Sequence, residues 1–219
     1  MKAPSIKYAL AATLAATTVA YVAQLPAQAA VPFNDLQNVG DHYTAIDELY
    51  NAGIIEGRSA TAFAPYEAAT RAELALFIAN ALNLDTNNVV DPGFTDVPKN
   101  SKYYGAIAAL YNKGVISGYA NQTFKPNDNV KRSQVAKMLV LGFELDLVQA
   151  TTTKFKDVNA IQDVNTRRYI QTLVEYNITK GTSETTFSPN DLVKRAQLAT
   201  FLKRAIDNTE NDFELINVE

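Results

Sequence analysis

Apolar residues recur three and four positions apart in six stretches of this chain, and each stretch reads as one helix. Ile46 and Leu49 lead into Gly53-Ile54-Ile55, Ile107 and Leu110 into Gly114-Val115-Ile116, and Ile170 and Leu173 into Asn177-Ile178. This spacing predicts three amphipathic helices, each closed by a left-handed cap, because Gly and Asn tolerate positive φ. A second set spans Ala72 to Leu84, Ser133 to Leu145 and Ala196 to Ile206. In its first member Leu74, Phe77, Ile78 and Leu82 describe one buried face. Between the two sets lie Gly57, Gly118 or Gly181, then Phe63-Ala64-Pro65, Phe124-Lys125-Pro126 or Phe187-Ser188-Pro189. Gly allows a tight bend and Pro ends the segment before it, so a turn or small hairpin joins the two helices of each pair.

The pairs are copies of one unit. Phe33-x-Asp35-Leu36, Phe94-x-Asp96-Val97 and Phe155-x-Asp157-Val158 start at intervals of 61 residues. From Ile107 to Ile170 the interval is 63, so two residues are inserted after Asp157, where a loop tolerates them. A single helix-loop-helix unit holds too few apolar side chains for its own core, and three can pool their faces. The expected architecture is an all-α domain of six main helices, with equivalent helices meeting near a pseudo-threefold axis. The repeats run 30–92, 93–153 and 154–207. Asn208 to Glu219, with four carboxylates and no basic residue, reads as an acidic tail or linker.

Residues 1–29 stand apart from this pattern. Lys2 and Lys7 precede an apolar run from Ala9 to Ala23, and Ala27-Gln28-Ala29 has the small-x-small form of a signal-peptidase site, so the mature chain is expected to begin at Ala30. The run is shorter than the roughly 20 apolar residues that span a bilayer. Losing two lysines and no acid shifts the formal charge from −3 to −5, which gives no support to nucleic-acid binding. The chain contains no cysteine, so an exported form must hold together by packing alone.

Each second helix opens on a related tetrad: Thr70-Arg71-Ala72-Glu73, Lys131-Arg132-Ser133-Gln134 and Lys194-Arg195-Ala196-Gln197. Thr70 and Glu73 form the two halves of a capping box, which accounts for those two residues but not for the arginine. In the later copies Lys-Arg sits at the positive end of the helix dipole, where an exposed cation costs roughly 0.3–1 kcal/mol. A guanidinium beside unpaired N–H groups suits a carboxylate. Arg71, Arg132 and Arg195 are therefore candidate anion ligands, the alternative being that each pairs with a nearby carboxylate, such as Asp35, Asp96 or Asp157, and fastens the repeats. Lys131 and Lys194 are either ligands or solvated surface groups. Gly57, Gly118 and Gly181 are turn residues with unusual backbone angles that could also admit a sugar, with Tyr119 as a stacking face. The three aspartates are turn or helix caps by default and ligand groups otherwise. Tyr43, Tyr103 and Tyr104 are expected to pack with wet hydroxyls. His42, the single histidine, lacks companions for catalysis and is expected at the surface.

The order Phe-x-Asp-Val, Ala-Ile-x-x-Leu, Gly-Ile-Ile-x-Gly, Phe-x-Pro and Thr-Arg-Ala-Glu resembles the S-layer homology module over residues 33–207. The resemblance implies a spindle-like pseudo-trimer with a central three-helix bundle. It also implies a cell-wall location, and grooves between repeats that bind secondary cell-wall polymer, often through a pyruvylated N-acetylmannosamine. The motif arginine of the family maps to Arg71, Arg132 and Arg195. This chain departs at Lys131, Lys194, Gln134 and Gln197, and in the third copy at Asn177 and at Arg167, which stands where Tyr43 and Tyr104 align. The implied function is non-enzymatic anchoring of a surface protein to the bacterial wall, with no cofactor, no metal and no membrane contact after signal cleavage. The competing readings are a lattice protein acting by self-association and a wall-degrading enzyme. The enzyme would need a singular pair of carboxylates, whereas the notable acids here recur by repeat.

Overall fold

The computed structural model describes the backbone of residues 30–216 and the side chains of residues 30–209. The expected signal segment lies outside the described residues. The fold is all-α: α1 (His42–Asn51) and α2 (Arg71–Ala81) form the first repeat, α3 (Tyr104–Asn112) and α4 (Arg132–Gly142) the second, and α5 (Lys156–Asn159), α6 (Val164–Glu175) and α7 (Arg195–Ile216) the third. No strand occurs among the described residues. No helix among them is long and apolar enough to cross a membrane.

The first helices end as their sequences require. Gly53, Gly114 and Asn177 adopt φ of 71°, 80° and 52°, and the N–H of Ile54, Val115 and Ile178 turns back to the carbonyl of Leu49, Leu110 and Leu173. The two inserted residues of the third repeat, expected in a loop, are instead absorbed at the front of α6, which has 12 residues against 10 in α1 and 9 in α3. Asp163 caps this longer helix by accepting from the N–H groups of Asn165 and Thr166. The last helix runs ten residues past the expected end at Ile206, so the acidic segment from Asn208 begins as helix.

Each second helix packs on the first helix of the following repeat: α2 on α3, α4 on α6, and α7 back on α1. The cycle closes in the backbone. Ala69, Val130 and Val193 are all fully buried, and they form a ring in which Val130 donates to Ala69 at 2.9 Å, Val193 to Val130 at 3.1 Å and Ala69 to Val193 at 2.8 Å. Helix starts extend the ring, since Arg71 and Ala72 donate to Asp128 and Pro126, Arg132 and Ser133 to Asp191 and Pro189, and Arg195 and Ala196 to Glu67 and Pro65. The N–H groups that a helix leaves unpaired at its start are thus satisfied by the next repeat's turn. One continuous core results. Its largest members include Phe63, Phe124, Phe155 and Phe187, each with no exposed surface.

Candidate functional site

The Phe-x-Pro turn is the unit on which the site is built. Its middle residue, Ala64, Lys125 or Ser188, takes the left-handed φ of 59–60° although none is glycine. That conformation is held by the preceding aspartate. Asp35 accepts from the N–H of Phe63 and Ala64 at 3.0 and 2.8 Å, Asp96 from Phe124 and Lys125 at 2.8 and 2.7 Å, and Asp157 from Phe187 and Ser188 at 3.1 and 2.7 Å. Both carboxylate oxygens of each aspartate are committed to the backbone, which is the capping role.

The carbonyl of the same Phe takes the arginine of another repeat. Arg71 Nε donates to Phe124 at 2.9 Å, Arg132 Nε to Phe187 at 2.8 Å and Arg195 Nε to Phe63 at 2.7 Å. Each guanidinium carbon lies 4.5–4.6 Å from the centroid of that Phe ring. Aspartate and arginine therefore grip the two ends of one Phe residue, with no direct ion pair between them, and only Arg195 pairs with a carboxylate, that of Glu73. All three arginines are buried, and desolvation lowers the pKa of each, though arginine stays charged at any relevant pH.

Beyond Nε the three sites differ. Groove A, about 170 Å³, lies between Arg71 and the Gly118–Tyr119 loop, with Gln134 and Lys137 from α4 on its wall. Neither Nη of Arg71 has a hydrogen-bond partner among the described residues, and the guanidinium carbon lies 4.6 Å from the Phe124 ring centroid and 5.2 Å from that of Tyr119. Groove B, about 410 Å³, joins Arg132 to the Lys180–Thr182 loop, Gln197 and Arg204 of the third repeat, and to His42 of the first. Arg132 has only a long 3.4 Å contact from Nη2 to Thr179. Neither groove is lined by an acid.

The third position, here called C, is filled by the protein itself. Arg195 Nη1 pairs with Glu73, Nη2 donates to the Glu56 carbonyl at 2.7 Å, and Arg58 completes the cluster by donating to both oxygens of Glu73. Lys102 of the second repeat closes the rim on the Glu56 carboxylate. Burial pushes the Glu73 carboxyl upward, but the hydrogen bond from Arg58, the Arg195 charge and the Thr70 N–H together hold it below the usual glutamate range. Gln134 and Gln197 replace Glu73 in the other copies, keep its reach back to the Lys131 and Lys194 N–H, and offer the arginine no counter-charge.

Gly118 and Gly181 line grooves A and B. The expectation that all three loop glycines have unusual angles is corrected at Gly57, which lacks the positive φ that Gly118 and Gly181 show at 68° and 89°. What the three share is space: an added Cβ would lie 2.5, 2.3 and 2.5 Å from Phe33, Phe94 and Phe155. Lys131 and Lys194 sit at the seams, not in the grooves, Lys131 reaching Asn190 and Lys194 lying over the Tyr66 ring. Sequence reasoning missed Arg58, Lys137, Lys180 and Arg204. Aligning the position after the loop glycine, which reads Arg58, Tyr119 and Thr182, would have found the first, since Arg58 and Glu73 occur in the same copy only.

The S-layer homology domain model matches residues 32–75, 93–136 and 154–199. The chain is 31% identical over 202 residues to the Surface-layer 125 kDa protein of Lysinibacillus sphaericus, covering 90% of this chain and 17% of that protein. It is 34% identical over 207 residues to an S-layer protein of Bacillus thuringiensis subsp. finitimus, 93% of this chain and 25% of the relative. An endoglucanase of Bacillus sp. (strain KSM-635) is 31% identical over 157 residues, 68% of this chain and 16% of the relative. The chain thus spans a quarter or less of the length of these curated relatives. With three ordered family matches and one closed repeat cycle, this secreted cell-surface chain belongs to the S-layer homology domain family.

Proposed function

We propose that these repeats anchor a surface protein to the bacterial cell wall by binding the anionic groups of a secondary cell-wall polymer, such as pyruvate ketals on its sugars, in grooves A and B. The observation that carries this is the inequality of the three arginines. Arg71 and Arg132 present guanidinium edges with no carboxylate in direct contact among the described residues, while Arg195 is spent on Glu73. A planar fork matches a carboxylate, and the water-poor setting of a buried guanidinium strengthens the attraction. In groove A the carboxylate would meet Arg71 and Lys137 while the sugar lies near Tyr119. Site C serves as a clasp.

The comparisons support an attachment role over a catalytic one. Proteins named for a surface layer and for an endoglucanase share this region, which is a small part of each. Two modest sites on one chain also suit a repetitive polymer, because engagement at both produces avidity.

Calorimetric titration of the mature chain with the pyruvate ketal of a methyl N-acetylhexosaminide tests the reading. We expect two molecules bound per chain. Lys137→Glu and Lys180→Glu replace exposed lysines on the two groove walls, and each should weaken one site by about tenfold or more, equivalent to about 1.4 kcal/mol. Sedimentation with purified wall should be lost once the polymer is chemically stripped. Binding that survives stripping, or both reversals leaving affinity unchanged, would sink the proposal.

A further inference from the structure

Groove B contains a group that groove A lacks. His42, at the first turn of α1, is half-buried and lines the groove although it belongs to the first repeat. Its Nδ1 lies 2.7 Å from Thr200 Oγ1 on α7. The Thr200 hydroxyl in turn donates to the Ala196 carbonyl at 3.3 Å, so its oxygen accepts from Nδ1–H and the network assigns the neutral ring its tautomer. Nε2 is then a bare lone pair with no protein partner among the described residues. Counting back four residues from Ile46, Ile107 and Ile170 places Tyr103 and Thr166 at the matching positions, so the other copies have no imidazole there.

We infer that His42 is a ligand-contacting residue of groove B, and that its Nε2 takes up a proton from solvent when an anion binds there. This rests on the reading of the grooves as anion sites. The charged groups facing His42 are Arg204 from α7, Arg132 from the start of α4 and Lys180 from the third-repeat loop, against Asp41 in its own turn. Lys203, also on the α1–α7 seam, is paired with Glu48 and Asp207. In the empty groove, burial and then the Arg204 charge push the imidazole pKa down, with Asp41 opposing, so the ring is neutral near pH 7. A carboxylate among these cations cancels their field and favours the imidazolium, whose Nε2–H becomes a further donor to the ligand. Affinity at groove B must then rise as pH falls from the liganded pKa to the empty one. With one linked proton the slope is at most about tenfold per pH unit. Groove A, lined by Arg71 and Lys137, contains no histidine.

The single histidine makes the test direct, because its imidazole NMR signals belong to one residue. The full mature chain, untagged and carrying Lys137→Glu to silence groove A, is titrated with the pyruvate ketal of a methyl N-acetylhexosaminide from about pH 5 to about pH 8, the range over which histidine changes charge. We expect the His42 pKa to rise on saturation, affinity to fall several-fold as pH rises, and calorimetry in two buffers of different protonation enthalpy to show net proton uptake. His42→Gln retains an amide for Thr200 and should bind with a flat pH profile and no uptake. Binding with an unchanged His42 pKa, or an identical pH profile in His42→Gln, overturns this inference alone. Failure of the probe to bind at any pH overturns the groove reading and this inference with it.

Discussion

Arg195 and Glu73 meet as a buried ion pair across the seam between the third and first repeats, their side chains 1% and 7% exposed. Neither is stable there alone. Glu73 also holds the Thr70 N–H and accepts from Arg58, so one carboxylate closes a helix cap and a repeat seam and fills the third site. Removing one partner of a buried pair leaves the other charge uncompensated, at a cost of about 3–5 kcal/mol. Glu73→Gln should therefore lower stability by that amount in a urea titration, with Arg58 and Arg195 left facing each other. Adding Arg58→Thr copies the groove B arrangement of Thr182 and Gln197 and should recover part of the loss. It should also raise the stoichiometry of anion binding from two to three. A double variant that still binds two would show that more than the missing counter-ion separates site C from A and B.

The same carboxylate sets part of the acid limb of stability. Its folded pKa is depressed, so the unfolded chain binds the proton more tightly than the native one. The stabilisation is fully present above the unfolded glutamate value of about 4.3 and is lost as pH falls through the lower folded value. Thermal melts at decreasing pH should show Glu73→Gln converging on the wild type below that window and diverging above it. A constant gap across the whole range would mean that the pair contributes nothing to the pH dependence.

Much of this was legible in the chain itself, and the reasons are local. Asn177 reads as a cap because few residues besides Gly and Asn accept φ near 52°, whereas the two-residue offset before Ile170, read as a loop insertion, lengthens the front of α6 instead. What was not legible is non-local. The aspartates read as caps by default, yet no rule of spacing says that Arg71 grips Phe124 of the next repeat and not Phe63 of its own. The ring of Ala69, Val130 and Val193 likewise depends on how three units close on one another. The inequality of the sites lay half visible in Glu73 against Gln134 and Gln197, but its meaning needs Arg58 placed beside them.

The aspartate under each Phe-x-Pro turn should be worth more than an ordinary surface acid. Asp96 supplies both oxygens to consecutive N–H groups, at 2.8 and 2.7 Å, and bonds of this charge-assisted kind each contribute about 1.5–3 kcal/mol. Asp96→Ala frees the left-handed Lys125 and releases the carbonyl that positions Arg71. We expect a loss of at least about 2 kcal/mol in a urea titration, smaller in Asp96→Asn, which keeps one acceptor. Among variants that remain folded, groove A should weaken while groove B, built on Asp157 and Phe187, is unaffected. Equal loss at both grooves would mean that the turns are not independent supports.

Gly57 separates space from backbone angle, which Gly118 and Gly181 confound. Its φ is ordinary, so alanine strains no dihedral, yet the new Cβ would lie 2.5 Å from both the Phe33 ring and the Ser59 carbonyl, and 2.8 Å from the Ala62 carbonyl. The ring could give way only by moving off Phe63, its neighbour at 5.6 Å, and off Tyr50 at 4.8 Å. Overpacking of this kind costs about 1–3 kcal/mol. Gly118→Ala meets the same ring contact, at 2.3 Å from Phe94, and adds the left-handed penalty of about 1–2 kcal/mol. Thermal melts should therefore rank the wild type above Gly57→Ala and Gly57→Ala above Gly118→Ala. Gly53→Ala, with open space and φ of 71°, should show the angle term alone. Because Gly57 lies at site C, its alanine variant should keep both anion sites, whereas Gly118→Ala should lose groove A. If Gly57→Ala melts with the wild type, close approach to the Phe is not what requires glycine at this position.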